Sequence, residues 1–367
     1  MAQRRLPAPL FDYLEGGAGA ETTLRANTAA FEEVRFIPRA LVNVASVNTA
    51  TTLLGQRIDW PVLCAPTGGA RQYHPAGELA VARAAARSGV YYSLSVAGTH
   101  TIEQVAQASR GPKLFQILIL KDRGHTRDLL DRCRASGYHA LCLTVDAALR
   151  GKRERELRSG LPLKPTWSSR ARCLLRPRWC LRQLLQPPLD MPNLVPAGKS
   201  ARGLSASAQY LKSQLDPSIS WADLEQLTQH WRGPLLLKGI LSADDARRAV
   251  RLGVTAIAVS NHGGRQLDGA PASLHVLDEI VQAIGSDAEV IVDGGIRRGE
   301  HILAALALGA KACAIGRPYL YGLSAAGEPG VDKALDLLKE ELITTMRLCG
   351  CTDVSRVDAS LLLRKPA

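Results

Sequence analysis

The chain has 367 residues, 46% hydrophobic and 22% charged, an ordinary globular composition that can bury a large core without staples. Its eight cysteines form no CxxC pair and no zinc-like spacing, and no apolar run approaches the roughly 18 residues that a membrane-spanning helix needs. A formal charge of +12 and a pI near 9.5 suit an anionic surface, an anionic substrate or no specific partner, and the distribution of the charge decides.

Residues 1–10 are basic but lack an apolar h-region, so no secretory signal is expected. Cys64, Cys142 and Cys313 lie inside apolar runs and read as buried thiols, which suits a reducing, cytoplasmic location. The first 60 residues read as helices that precede the main domain. Eight short apolar runs follow: 62–66, 91–96, 114–120, 140–146, 235–239, 256–260, 290–294 and 312–316. Each is bounded by Gly, Pro or a polar residue, as buried parallel strands are. Helical stretches alternate with them. Glu78 to Ser88 stops at Gly89, Ser242 to Leu252 starts on a Ser cap with an acidic first turn, and Glu300 to Leu308 stops at Gly309. Eightfold strand–helix alternation predicts a single (β/α)8 TIM barrel over 1–367 with an N-terminal helical extension. A doubly wound open sheet is the alternative. The rhythm fails once, over 150–217, which reads as a long basic insertion or lid after the fourth strand.

Barrel chemistry sits at the C-terminal strand ends. Those ends carry Thr67, Ser95, Gln116, Thr144 with Asp146, Lys238, Ser260 with His262, Asp293 and Arg317. The run Ser260-Asn-His-Gly-Gly-Arg-Gln-Leu-Asp268 is the most informative. A lone histidine beside a glycine turn is more often structural. Arg265 three residues on, at a strand end, instead suggests a base (His262) beside a carboxylate fork. Asp293 is expected to orient His262 and stabilise its protonated form. Gly294, Gly295, Arg297, Gly316 and Arg317 resemble the phosphate site that barrels build after their last two strands. Lys238, at the end of an apolar strand, either pairs with an aspartate in the barrel mouth or serves an anionic ligand.

With these residues in place, the chain resembles the FMN-dependent 2-hydroxy acid oxidase and dehydrogenase family from Phe11-Asp-Tyr-Leu-Glu-Gly-Gly-Ala18 to about Gly350; the run beginning at Ser260 is highly specific for it. The resemblance implies FMN across the barrel mouth, with Pro66, Thr67 and Gly68 beside the ring. It implies Ser95, Gln116, Thr144 and Ser260 at the polar edge, Lys238 beside developing flavin charge, and Asp293, Gly295, Arg297, Gly316 and Arg317 at the ribityl phosphate end. Arg153 and Arg265 would hold the substrate carboxylate, Tyr13 would assist, and His262 with Asp293 would do the proton chemistry. No metal is implied. Family barrels often form tetramers, so a homo-oligomer is expected.

Two departures bear on substrate. Family members commonly carry Gln-Leu-Tyr on the third strand, where this chain has Gln116-Ile117-Leu118, and a bulky aromatic where it has Ala97. Both favour a 2-hydroxy acid larger or more apolar than glycolate, or a non-classical substrate of a biosynthetic pathway. The insertion concentrates Arg150, Lys152, Arg153, Arg155, Arg158, Lys164, Arg170, Arg172, Arg176, Arg178 and Arg182, interleaved with Trp167, Leu174, Leu175, Trp179, Leu181, Leu184 and Leu185. It reads either as a lid packed on the barrel or, over 160–200, as a peripheral contact with the inner face of a membrane. The electron acceptor is left open as dioxygen, quinone or a protein, since no heme-binding domain accompanies the barrel. No nucleic-acid module accompanies the charge. A barrel used only for membrane or partner binding is the non-enzymatic alternative.

Overall fold

A computed structural model describes residues 1–160, 166–196 and 201–363. The chain opens with helices α1 (Ala2–Arg5), α2 (Ala8–Glu15) and α3 (Thr22–Glu32), then a small hairpin, Thr51–Leu53 with Gln56–Ile58. Eight parallel strands follow: β1 (Val62–Thr67), β2 (Tyr91–Ser95), β3 (Lys113–Ile117), β4 (Ala140–Thr144), β5 (Leu235–Ile240), β6 (Ala256–Val259), β7 (Glu289–Asp293) and β8 (Ala312–Ile315). They pair in sequence order, and β8 closes on β1, so the expected (β/α)8 barrel is what forms.

The two-residue period of a strand decides which side chains enter the barrel. Leu63 and Ala65, Tyr91, Leu114, Ala140 and Cys142, Leu236, Ala256 and Ala258, Ile291, and Ala312 and Ala314 pack together inside. The alternate residues, such as Val62, Tyr92, Phe115, Leu141, Val290 and Val292, join the larger core under the outer helices. Leu53, Leu54 and Ile58 of the hairpin plug the N-terminal mouth, where Leu54 N donates to Glu289 Oε2. Continued upward, the same period places Thr67, Ser95, Gln116, Thr144, Lys238 and Asp293 at the opposite mouth.

All eight cysteines are free, and Cys64, Cys142 and Cys313 are buried as expected. The insertion is more structured than its sequence suggests. It contains α4 (Glu154–Ser159), α5 (Trp167–Leu174), α6 (Pro177–Leu184) and α7 (Leu204–Gln214). Lys164, part of the basic run, lies outside the described residues. Trp179 Nε1 and Gln183 Nε2 donate to the carbonyls of Gln72 and Arg71, and Arg71 in turn donates to Pro187 and Pro188. The insertion is thus tied to the turn that follows β1. No helix among the described residues is long and apolar enough to cross a membrane.

Candidate active site

Beyond β6 the backbone takes left-handed values at His262, Gly263 and Gly264 (φ 60°, 63° and 74°). Glycine adopts them freely, whereas His262 is strained there, a cost tolerated where a side chain must be aimed. Gly264 is also sterically required, because a Cβ would meet Leu24 Cα at 2.6 Å. Ser260 holds the turn by accepting from His262 N (3.1 Å). His262 Nδ1 meets Asp146 Oδ1 at 3.0 Å, which leaves Nε2 as the nitrogen available to a substrate.

This pairing corrects the expectation for Asp293. That carboxylate sits at the top of β7 inside the barrel, 2.8 Å from Lys238 Nζ. His262 has already left β6, and its ring faces the loop after β4. Burial alone would raise the pKa of Asp146, but His262 and Lys238 outweigh it and hold the carboxyl below its ordinary range. Burial alone would lower the pKa of Lys238, but Asp293 and Asp146 outweigh that and hold the ammonium above its ordinary value. Ser260 lies just beneath these groups. It is fully buried and absent from the cavity wall, and its hydroxyl accepts from Lys238 Nζ at 2.7 Å. It supports two site residues, Lys238 and His262.

Every other residue expected at the site lines one cavity of about 310 Å³ at the C-terminal mouth: Tyr13, Pro66, Thr67, Gly68, Ser95, Gln116, Thr144, Arg153, Lys238, His262, Arg265, Asp293, Gly295, Arg297, Gly316 and Arg317. Arg265 lies over the Tyr13 ring, 5.2 Å from its centroid, and Nη1 donates to the carbonyls of Tyr13 and Gly16 at 2.8 Å each. Arg317 donates to Leu14, Gly16 and Gly263 carbonyls. Two guanidiniums therefore cap the C-terminal end of α2, where the helix dipole is negative, and fix Tyr13 against the turn at His262. Burial, then the neighbouring Arg265 and Arg297, pushes Arg317 down to about 10.

Several contributors escaped sequence reasoning. Glu156 receives Arg150, Arg153 and Arg265. Asn27 and Asn261 exchange two buried side-chain hydrogen bonds, at 2.8 and 2.7 Å, that fasten α3 to the turn at His262. Their separation of 234 residues leaves no local signal. Asp146 stood among the strand-end residues, but not as the partner of His262.

The cavity fits FMN. Its inner edge is polar, and Asp293 keeps one buried oxygen, Oδ1, without a partner among the described residues, as an acceptor for a polyol hydroxyl would. At the far end Gly316 begins helix α8 (Arg317–Ala326) with no side-chain cap, and a Cβ there would meet nothing closer than Thr67 Cγ2 at 3.8 Å. Arg297 stands nearby over the Tyr321 ring and makes no ion pair among the described residues. Uncapped N–H groups beside such a cation suit a phosphate.

Comparison with known proteins agrees. An L-lactate oxidase of Nostoc sp. is 45% identical over 370 residues, covering 99% of this chain and 95% of that protein. An L-lactate dehydrogenase of Alcaligenes faecalis is 41% identical over 368 residues, covering 100% and 97%. The crystal structure of a monotopic membrane protein, (S)-mandelate dehydrogenase, superposes with a TM-score of 0.94 at 37% identity, covering 99% and 97%. The profile of the FMN-dependent dehydrogenases matches residues 2–364, and the chain belongs to that family.

Proposed function

We propose that this protein uses FMN to oxidise an L-2-hydroxy acid with an apolar side chain to its 2-oxo acid. The observation that carries the reading is the convergence of His262, aimed by Asp146, with the Arg153 and Arg265 guanidiniums in one cavity. The guanidiniums receive the carboxylate, which turns binding energy into orientation of the alcohol carbon. His262 Nε2 accepts the hydroxyl proton, and Asp146 stabilises the imidazolium so formed. FMN supplies the two-electron acceptor, held by Pro66, Thr67, Gly68, Ser95, Gln116, Thr144, Lys238, Asp293, Gly295, Arg297, Gly316 and Arg317. Lys238, fixed by Asp293 and Ser260, offers a preorganised positive charge at the polar edge of the cavity. The test is anaerobic addition of a panel of L-2-hydroxy acids to the yellow holoprotein. Bleaching is expected, and a panel without any bleaching overturns the reading.

The cavity lining includes the apolar residues Ala97, Leu118, Met191, Ala208, Leu211 and Leu215. Each methylene seated on such a wall contributes about a 10–200-fold preference. L-2-Hydroxyisocaproate or (S)-mandelate should therefore exceed glycolate in kcat/KM by at least about 10-fold. Equal values for glycolate would show that the apolar wall does not select.

The surface favours a membrane-associated enzyme passing electrons to a lipid-soluble quinone. Trp167 (84% exposed), Leu174, Leu175, Leu181, Leu184 (81%) and Leu185 stand out from α5 and α6 among Arg170, Arg172, Arg178 and Arg182. No residue of α6 is buried. Apolar anchors within a basic surface suit an anionic bilayer interface. The protein should co-sediment with phosphatidylglycerol vesicles, less so at high salt, and reoxidise slowly in air. Replacing Trp167, Leu181 and Leu184 together by serine should leave it in the supernatant with turnover of soluble dyes intact. Equal sedimentation of this variant would remove α5 and α6 from the contact.

A further inference from the structure

Glu154 and Glu156 are the only acidic residues between Arg150 and Gln186, and Glu156 is 6% exposed. Its Oε1 receives Arg153 Nη1 at 3.3 Å and Arg265 Nη2 at 3.0 Å, and its Oε2 receives Arg150 Nη2. The three arginines line the cavity, whereas Glu156 does not, so the carboxylate grips them from behind.

The arrangement poses an electrostatic problem. Arg153 and Arg265 arrive on different loops, after β4 and after β6, and their like charges repel where both side chains are largely buried. Burial and the neighbouring Arg265 push Arg153 down to about 10, and Glu156 acts against that fall. Their remaining contacts fix direction but supply no countercharge. Arg153 Nε donates to Arg265 O at 2.9 Å, and Arg265 Nη1 is used on two backbone carbonyls. Among the described residues Glu156 is the anion that joins the two guanidiniums.

We propose that Glu156 is the positioning residue of the substrate-carboxylate anchor: a buried countercharge that sets the spacing and planes of Arg153 and Arg265, and through them the preference for an anionic substrate over its neutral analogue. The proposal rests on the reading of those arginines as the anchor.

The test compares wild type, Glu156→Gln and Glu156→Asp in the FMN-loaded enzyme, with an L-2-hydroxy acid and its primary amide as substrates. Misplacing a clamp by about an ångström costs up to about 100-fold. In Glu156→Gln, kcat/KM for the acid should fall at least about 10-fold, mainly through KM, while the amide changes less than about twofold. Glu156→Asp keeps the charge on a shorter stem and should fall between. Calorimetric binding of the 2-oxo acid and its amide gives a readout independent of turnover, with the acid alone weakened. If acid and amide lose equally, or neither changes, Glu156 is a structural brace and the proposal fails. Should Glu156→Gln not fold, Glu156→Asp in the binding assay decides. A wild-type protein that oxidises neither compound overturns the functional reading instead, and the binding assay still tests Glu156.

Discussion

Replacing His262 by glutamine should lower kcat by about 10²–10⁴-fold, the range of a general base, while FMN content and melting temperature stay near wild type. Among the described residues the side chain holds one polar contact, Nδ1 to Asp146, at the edge of the cavity, so little of the fold depends on it. Asp146→Asn should approach the same loss, because an amide neither stabilises an imidazolium nor fixes the tautomer that leaves Nε2 free. Combining the two should cost little more than His262→Gln alone, since both act on one proton transfer. The two variants should differ in acid. The folded Asp146 carboxyl lies below its ordinary value of 3.8, so its contribution to stability is present above that pH and lost as pH falls through the depressed value. Asp146→Asn lacks that segment of the acid transition, and His262→Gln should reduce it. A His262→Gln enzyme that retains most of its turnover would remove the base from the mechanism.

The barrel was legible because buried parallel strands are short apolar runs with hard boundaries, and the strand period names the residues that reach the mouth. That is why Lys238, Thr144 and Asp293 could be placed from sequence. The identity of their partners could not. Whether His262 turns toward Asp293 or Asp146 depends on how far the chain has travelled past β6 and on the path of the loop after β4, and no one-dimensional period carries either. Glu156 was hidden for the same reason, since its three arginines come from two loops. The insertion failed differently. Helices α5 and α6 have eight residues each and leave their leucines exposed, so they lack the inward apolar stripe that marks a helix packed on a core.

Lys238→Met is expected to be the most destabilising change in the site. It leaves Asp293, 7% exposed, with a buried charge and no cation at 2.8 Å, and removing one partner of such a pair costs about 3–5 kcal/mol. The wild-type pair also sets an alkaline limit. The folded Lys238 ammonium lies above its ordinary value of 10.5, so its contribution is present below that pH and is lost as pH rises through the raised value. The double variant Lys238→Met/Asp293→Asn separates structure from chemistry. With both charges gone, the unpaired carboxylate disappears and most of the stability should return. The preorganised positive charge at the cavity's polar edge does not return, so turnover should stay low. Thermal unfolding with bound-flavin absorbance reads the first effect, and substrate-driven bleaching reads the second. Recovery of both in the double variant would make Lys238 a structural partner of Asp293 and nothing more. Loss of bleaching with stability restored and FMN still bound would assign the ammonium to the reaction itself.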